Sequence, residues 1–433
     1  MVRTACLLAA VALPPGTAAA GAQASPPGRP APADTLVLTL ADARRLALRQ
    51  NPELLAGRQE TEAARGRLRQ ARLPLFNPQA EVVVLPGAPG GVGFEATLSQ
   101  EAEWAGQRGL RSRAAGFGLA RAEALARDAA RLAAEEASTS FYTAFAARER
   151  LRLAEDALSL AGRLADAVRT QAREGEISTL EADLAEIESG RARARVLAAR
   201  RDLAAAELEL RRATGLPAER PLRLADDLPP APDPAGLSAD SLAATALARR
   251  PDLRARAAEA DEARTQARLA GREAVPNLRL GLRAERGEDG SGTRLGVVAD
   301  LPLPLLNRNQ GRVQEEQARA GQAEMWERAT GERIRAQAVA AAEVYAAAAD
   351  EVRVYESSVL QPARRSRARL DTAYRAGKIG LPTLLLVRNQ ILEAETGYWD
   401  AWLAHRRALA ALESAIAAGD GETGGALLPG GGR

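Results

Sequence analysis

The sequence predicts a mainly α-helical protein, built from long coiled-coil helices with a small β part, and three observations point there. Ala, Leu, Arg and Glu are abundant in the 433 residues, while aromatic residues make up only 3%, so the 46% apolar content is spread along helices rather than gathered in a thick core. Apolar residues recur three and four apart over long stretches. Four short stretches instead alternate apolar and polar residues, as strands with one dry and one wet face do. Acidic and basic side chains are interleaved and the formal net charge is only +3. That describes a solvated helical surface and no nucleic-acid partner.

Residues 1–24 read as an export signal, with Arg3 at its positive end, an apolar run over 5–13 and the small-residue motif Ala22-Gln23-Ala24. Cys6 is the only cysteine and falls inside this stretch, so the exported chain is expected to have no disulfide and no Cys-based metal site. No later run reaches the ~18 apolar residues of a membrane-spanning helix. A Pro-rich segment, 25–35, follows the signal.

The remainder divides into two similar halves, 36–215 and 238–417, around a linker over 216–237 that carries Pro217, Pro221, Pro229, Pro230, Pro232 and Pro234. Asn51-Pro52-Glu53-Leu54 in the first half is matched by Arg250-Pro251-Asp252-Leu253 in the second. Pro74 and Pro276, Gly109 and Gly311, Gly175 and Gly377, and Ile177 and Ile379 all stand 202 residues apart, the mark of a duplication. Each half predicts a helix (40–72; 252–273), a β-hairpin (79–104; 277–305), a very long helix (107–173; 309–375), a tip turn (174–178; 376–382) and a return helix (179–213; 383–417). At 1.5 Å per residue the long helices reach about 100 Å. A Gly-rich tail, 418–433, is expected to be disordered.

The helical seams are regular. Ala338, Ala341, Tyr345, Ala348, Val352, Tyr355 and Val359 keep a three-four rhythm, as do Leu384, Val387, Ile391, Ala394, Tyr398, Ala401, His405, Ala408 and Leu412. Leu153, Ala157, Leu160, Leu164 and Ala167 do so in the first half. In the strands, Phe94, Ala96 and Leu98 alternate with Glu95, Thr97 and Ser99, after a run from Glu81 to Leu85. Leu278, Leu280 and Leu282 alternate with Arg279, Gly281 and Arg283, before a last segment over 294–301. Gly87, Gly90, Gly91 and Gly93, then Gly287, Gly290 and Gly292, supply the turns, where Glu285, Glu288 and Asp289 read as solvated acids. Four strands cannot close a barrel, and lipid tolerates no open sheet edge. The hairpins therefore either pack on their own helices in water or pool with strands of other copies.

Several motifs together resemble the TolC family of outer-membrane factors, nearly end to end, and within it the branch serving heavy-metal efflux pumps of the cobalt–zinc–cadmium type. They are Leu40-Ala41-Asp42-Ala43 before Asn51-Pro52-Glu53-Leu54, Asn77-Pro78 entering the first strand, and Trp104-Ala105-Gly106-Gln107-Arg108-Gly109 leaving the first hairpin. Pro302-Leu303-Pro304-Leu305-Leu306-Asn307-Arg308-Asn309-Gln310-Gly311 leaves the second, and Pro362 precedes Tyr374-Arg375-Ala376-Gly377-Lys378-Ile379. The resemblance implies a homotrimer whose twelve strands form one outer-membrane β-barrel, continued by a periplasmic α-barrel tunnel. It implies a passive, non-enzymatic export duct of a tripartite pump, surrounded by outer-membrane lipid and moving heavy-metal cations. Its partners would be a periplasmic adaptor (membrane fusion) protein and an inner-membrane transporter of the RND type. The exit duct of a multidrug pump or type I secretion system, and a soluble periplasmic coiled-coil scaffold, remain open alternatives.

The same resemblance assigns the tips to adaptor docking: Gly175, Glu176, Ile177 and Ser178 in the first half, Gly377, Lys378, Ile379, Gly380 and Leu381 in the second. Some relatives narrow the tunnel with aspartates after the second tip. Here that stretch, from Leu384 to Asn389, holds no acid, which leaves Glu181, Asp183, Leu384, Val387 and Arg388 as constriction candidates. Pro362 has Leu160 as its first-half counterpart and should interrupt its helix, either as a gate hinge or as a fixed curve. His405, the only histidine, lies on a seam and is read as a packing residue, because a metal site needs several ligands. No catalytic, cofactor or metal motif is present in the sequence.

Overall fold

The computed structural model describes residues 36–86, 92–234, 236, 238–286 and 292–418. The expected signal, the segment 25–35, the hairpin turns with Gly87, Gly90, Gly91, Gly287, Glu288, Asp289 and Gly290, and the tail from 419 lie outside these residues. The element order is β1 (Leu36–Leu38), α1 (Leu40–Gln50), α2 (Pro52–Ala71), β2 (Gln79–Pro86), β3 (Val92–Ala102), α3 (Gln107–Arg173), α4 (Thr179–Thr214) and β4 (Leu222–Leu224). It continues with α5 (Ala239–Arg249), α6 (Pro251–Arg272), β5 (Leu278–Arg286), β6 (Thr293–Asp300), α7 (Gln310–Val354), a π-helical stretch (Tyr355–Leu360), α8 (Gln361–Arg375) and α9 (Leu381–Ala415).

The expected helix over 40–72 is two helices. Asn51 precedes Pro52, whose ring pushes it into extended backbone (φ −60°, ψ 122°). Its side chain then accepts the Glu53 and Leu54 amides at 2.9 and 3.3 Å, starting α2 afresh. Arg250 holds the matching backbone (φ −61°, ψ 125°) before Pro251 and separates α5 from α6.

The Pro-rich linker is not a free divider. Leu222, Arg223 and Leu224 pair in parallel with Leu36, Val37 and Leu38, a contact of three residues too short to signal itself in sequence. Arg148 donates to Leu224 O at 2.9 Å, Arg406 to Pro229 O at 2.9 Å, and the Tyr345 hydroxyl to Pro232 O. These bonds strap 222–232 onto the middle of α3, α7 and α9.

That middle is where the few aromatics gather. Phe141, Tyr142 and Phe145 on α3 meet Tyr398, Trp399 and Trp402 on α9, with neighbouring rings 5.3 to 6.3 Å apart and Phe145 stacked on Trp402. Pairs of this kind each contribute about 0.5–1.5 kcal/mol beyond area burial. Beside them Tyr345 stacks on His405 at 5.1 Å, over Ile334, Leu242 and Leu412. Elsewhere Ala predominates among the buried residues, which lets long helices approach closely. Ala167, expected on the α3 seam, is exposed, and Ala165 and Val168 are buried in its place.

The long helix expected over 309–375 is interrupted. Pro362 has no N–H for Ser358 O and its ring crowds that carbonyl, so the ladder widens to the π form over the preceding turn. Full burial passes from Val352 to Leu360 and Ala363, with the expected Tyr355 and Val359 half-buried between them. α3, with Leu160 at the corresponding place, runs unbroken for 67 residues. Tyr355 of the π stretch sits over Gly397, where a Cβ would lie 2.5 Å from its hydroxyl.

This aromatic middle of α3, α7 and α9 forms the waist of the molecule, and its packing sets two stabilities. Trp402→Ala should cost about 3–5 kcal/mol in denaturant unfolding, as large aromatic deletions in cores do. Burial, and secondarily Arg406, hold the His405 imidazole down at about 4, against 6.5 for the ordinary side chain. The fold favours the neutral ring, so this contribution is complete above pH 6.5 and is lost as pH falls from there through about 4. Melting profiles of wild type and His405→Gln between pH 7 and 4 should converge on the acid side, the wild type losing up to roughly 3 kcal/mol more.

Candidate functional site: a two-faced sheet and a paired helical tip

The large sheet has the order β2-β3-β5-β6, antiparallel throughout. Register aligns Val82, Ala96, Ala284 and Leu295 in one row, and Ala80, Leu98, Leu282 and Val297 in the next. Because side chains alternate, these rows share one face, which is almost wholly apolar. It is also open: Leu282 is 66% exposed, Val297 77% and Leu295 83%. Among the described residues, no helix covers it.

The other face is polar. Rows such as Glu81, Thr97 and Arg283, or Glu101, Arg279 and Asp300, cross it. Arg283 pairs with Glu95 at 3.0 Å and Arg279 with Glu101 at 3.4 Å. Gly281 lets β5 and β3 approach, since a Cβ there would lie 2.9 Å from Leu98 O. Among the described residues, the outer edges of β2 and β6 have no partner.

The sheet passes directly into the helices. Beyond β3, Glu103 binds Arg111, which holds its carboxyl below the ordinary carboxylate range. Gly106 takes left-handed backbone (φ +82°) and α3 begins; Asn309 (φ +61°) does the same before α7. α3 and α4, then α8 and α9, form two hairpins that end together at the far tip.

Each tip turn is closed by a left-handed glycine. At Gly175 (φ +79°) the Glu176 amide reaches back to Gln171 O, and at Gly377 (φ +70°) the Lys378 amide reaches Ala373 O, both at 2.9 Å. Ser178 caps α4 through the Glu181 amide at 3.3 Å. Ile177 and Ile379 pack against one shared apolar cluster of Val168, Leu370, Leu381 and Leu384, so the two turns lie side by side. Glu176, Ser178, Gly377 and Gly380 are exposed there, as is Lys378, the only lysine of the chain.

Burial corrects two of the expected site residues. Leu381 and Leu384 are 2% and 0% exposed, because they plug the joint between the hairpins, so neither meets a partner nor lines an opening. Arg388 is turned into a side slot between the hairpins and bonds Asp371 at 2.7 Å. Val387 is half-buried, whereas its neighbour Leu386 is 60% exposed. Asp183 is exposed and Glu181 half-buried beside Tyr374, whose hydroxyl burial and that carboxylate together push upward in pKa.

Leu180, Leu184 and Ile187 form an exposed stripe on α4, and Ala194, Ala198, Ala205 and Leu208 continue their heptad. The rhythm is present in the sequence but overlaps a second seam, Ala185, Glu188, Ala192, Val196, Ala206 and Leu210, that α4 buries within the chain. α4 thus has two seams and uses one.

Residues 242–418 match the family described as "Outer membrane efflux protein". The cobalt-zinc-cadmium resistance protein CzcC of Cupriavidus metallidurans is 27% identical over 278 residues, which span 63% of this chain and 65% of that protein's own length. In fold, the chain is similar to crystal structures of CusC (TM-score 0.74, 17% identity, 91% of this chain and 98% of that one). It is also similar to the Campylobacter jejuni CmeC outer membrane channel (TM-score 0.75, 17% identity, 87% and 85%). The family match falls on the half that carries β5, β6 and the second hairpin, and the shared fold covers nearly the whole chain; the protein is thus similar to outer membrane efflux proteins in sequence over 242–418 and in fold almost throughout.

Proposed function

We propose that three copies of this chain pool their strands into one twelve-stranded outer-membrane barrel, continued by their helices as a periplasmic tunnel, and that this duct is a passive exit for efflux. The observation that carries the reading is the four-stranded sheet with one exposed apolar face, one charged face and two free edges. A closed cylinder puts the apolar face against lipid and the charged face around water, and it removes the edges. Strands of eight to eleven residues rise about 26–36 Å, enough for the apolar band of such a barrel. The unused α4 seam supplies a coiled-coil contact between copies along the tunnel. The protein is not an enzyme; energy and direction come from elsewhere.

The partners are a periplasmic adaptor, docked at the two tip turns through Glu176, Ser178, Lys378 and Gly380, and an inner-membrane transporter of the RND type. The likeness to a cobalt-zinc-cadmium resistance protein supports heavy-metal cations as the cargo. At the inner end Leu386, beside Val387, takes the lining place expected of Leu384, and the π stretch before Pro362 is where the second hairpin bends.

Face assignment is tested by placing one charge on each side. Leu282→Arg should abolish assembly in the outer membrane, since arginine on a lipid face costs about 2–4 kcal/mol at mid-depth. Ser99→Arg, on the polar face, should assemble and alter only conductance. Equal tolerance of both would refute the barrel. A deletion strain should lose growth on zinc or cobalt while keeping it on detergents and dyes; the reverse pattern assigns a different cargo. Docking is read from the sole lysine: amine-directed cross-linking should capture the adaptor in wild type and lose most of it in Lys378→Arg.

A further inference from the structure

The two places where a strand runs into a long helix are built alike but are satisfied differently. α3 and α7 each follow a left-handed residue, and each begins with glutamine, Gln107 and Gln310. In both, the side-chain Oε1 accepts an amide two residues back, from Ala105 at 2.9 Å and from Arg308 at 2.8 Å. The other end of the amide group differs. Gln107 is 2% exposed, and its Nε2 donates to Arg272 O at 3.4 Å and Val275 O at 3.3 Å, in the segment that enters β5. Trp104 adds a bond to Pro276 O at 2.8 Å, and Asn277 one to Glu101 at 2.9 Å. Where β3 meets β5, the exit from one strand is therefore locked to the entry of the next.

Gln310 has no such lock. It is exposed, and its Nε2 finds only Leu306 O, within its own turn, at 3.4 Å. The exit segment around it displays Leu303 (71%), Leu305 (73%) and Leu306 (91%) to solvent. The other strand entry leads into β2. Its inner side is held within its own hairpin, where Arg108 donates to Arg72 O at 2.7 Å, Arg111 to Leu73 O at 3.4 Å and Gln100 to Phe76 O at 2.9 Å, but the Leu73 and Leu75 side chains are open, at 52% and 58%. Exit and entry stand at opposite edges of the sheet, so one chain cannot bring them together.

We infer that residues 303–310 of one copy clasp residues 73–76 of the next, with Gln310 Nε2 donating to a main-chain carbonyl of that entry segment and the collar leucines buried between them. The inference rests on the pooled barrel proposed above. Antiparallel pairing of β6 with a neighbour's β2 sets the end of one strand beside the beginning of the other. The apolar rows fix the side, because a slip of one residue would turn Leu295 and Val297 away from the face of Val82 and Val84. The clasp repeats between copies the junction that Gln107 makes within one, and it seals the step from barrel to tunnel.

The test uses full-length protein with Cys6→Ser. Oxidation of a Leu75→Cys, Leu306→Cys double variant should give covalent trimers, and either single variant should give none. Gln310→Ala should lower the temperature at which the detergent-solubilised trimer dissociates, whereas Gln107→Ala should act on the unfolding of each copy. Conducting channels whose two cysteines stay unlinked and react with a membrane-partitioned maleimide would show that the leucines face lipid, and would overturn the clasp while leaving the duct intact. A Gln310→Ala trimer as heat-stable as wild type would also overturn it. Wild-type protein that is monomeric and never conducts would remove the duct reading and the clasp with it.

Discussion

A dry sheet face with no helix over it is the constraint on which the rest of this structure depends. Leu282, Leu295, Val297, Val82 and Leu98 lie in register on one side of four strands, and the same strands carry Glu95, Glu101, Arg279 and Arg283 on the other. In water such a face would associate or aggregate, and the free edges of β2 and β6 would template that association. In lipid the face is satisfied and the edges are not. Closure by further copies, as proposed above, answers both demands and would make the charged face the wall of a water-filled passage.

The helical part is shaped by a different economy. A wall of long helices has little interior, so few large side chains are needed, and buried Ala holds most of the seams close. The exception is the waist, where Phe141, Tyr142, Phe145, Trp399 and Trp402 gather in a thick aromatic core and the Pro-rich connection is strapped on by Arg148, Tyr345 and Arg406. The waist fixes the two hairpins at their common root. Below it they differ: α3 is continuous, while the π stretch and Pro362 divide its counterpart, and Tyr355 needs the missing side chain of Gly397.

Much of this was legible in the sequence because it rests on periodicity. The 107–173 helix, the hairpins and the two tip glycines follow from a period of 3.5, a period of 2 and the need for left-handed backbone. What was not legible rests on tertiary competition. The β1–β4 pair is three residues long, and nothing local distinguishes it from a Pro-rich linker. Leu381 and Leu384 read as tip and constriction residues, but the contact between hairpins, invisible in either alone, buries them. The exposed stripe of Leu180, Leu184 and Ile187 hid behind a second seam on the same helix. The tip turns were thus readable as positions along the chain, and less so the directions in which their side chains point.

The account stands or falls on whether the strands are shared between copies. The protein mass of the detergent-solubilised particle, measured by sedimentation with the detergent contribution subtracted, tests that most directly. Three chains per particle is the predicted result. One chain, stable in buffer without detergent, would mean that the apolar face finds its cover within a single copy, and would contradict the account.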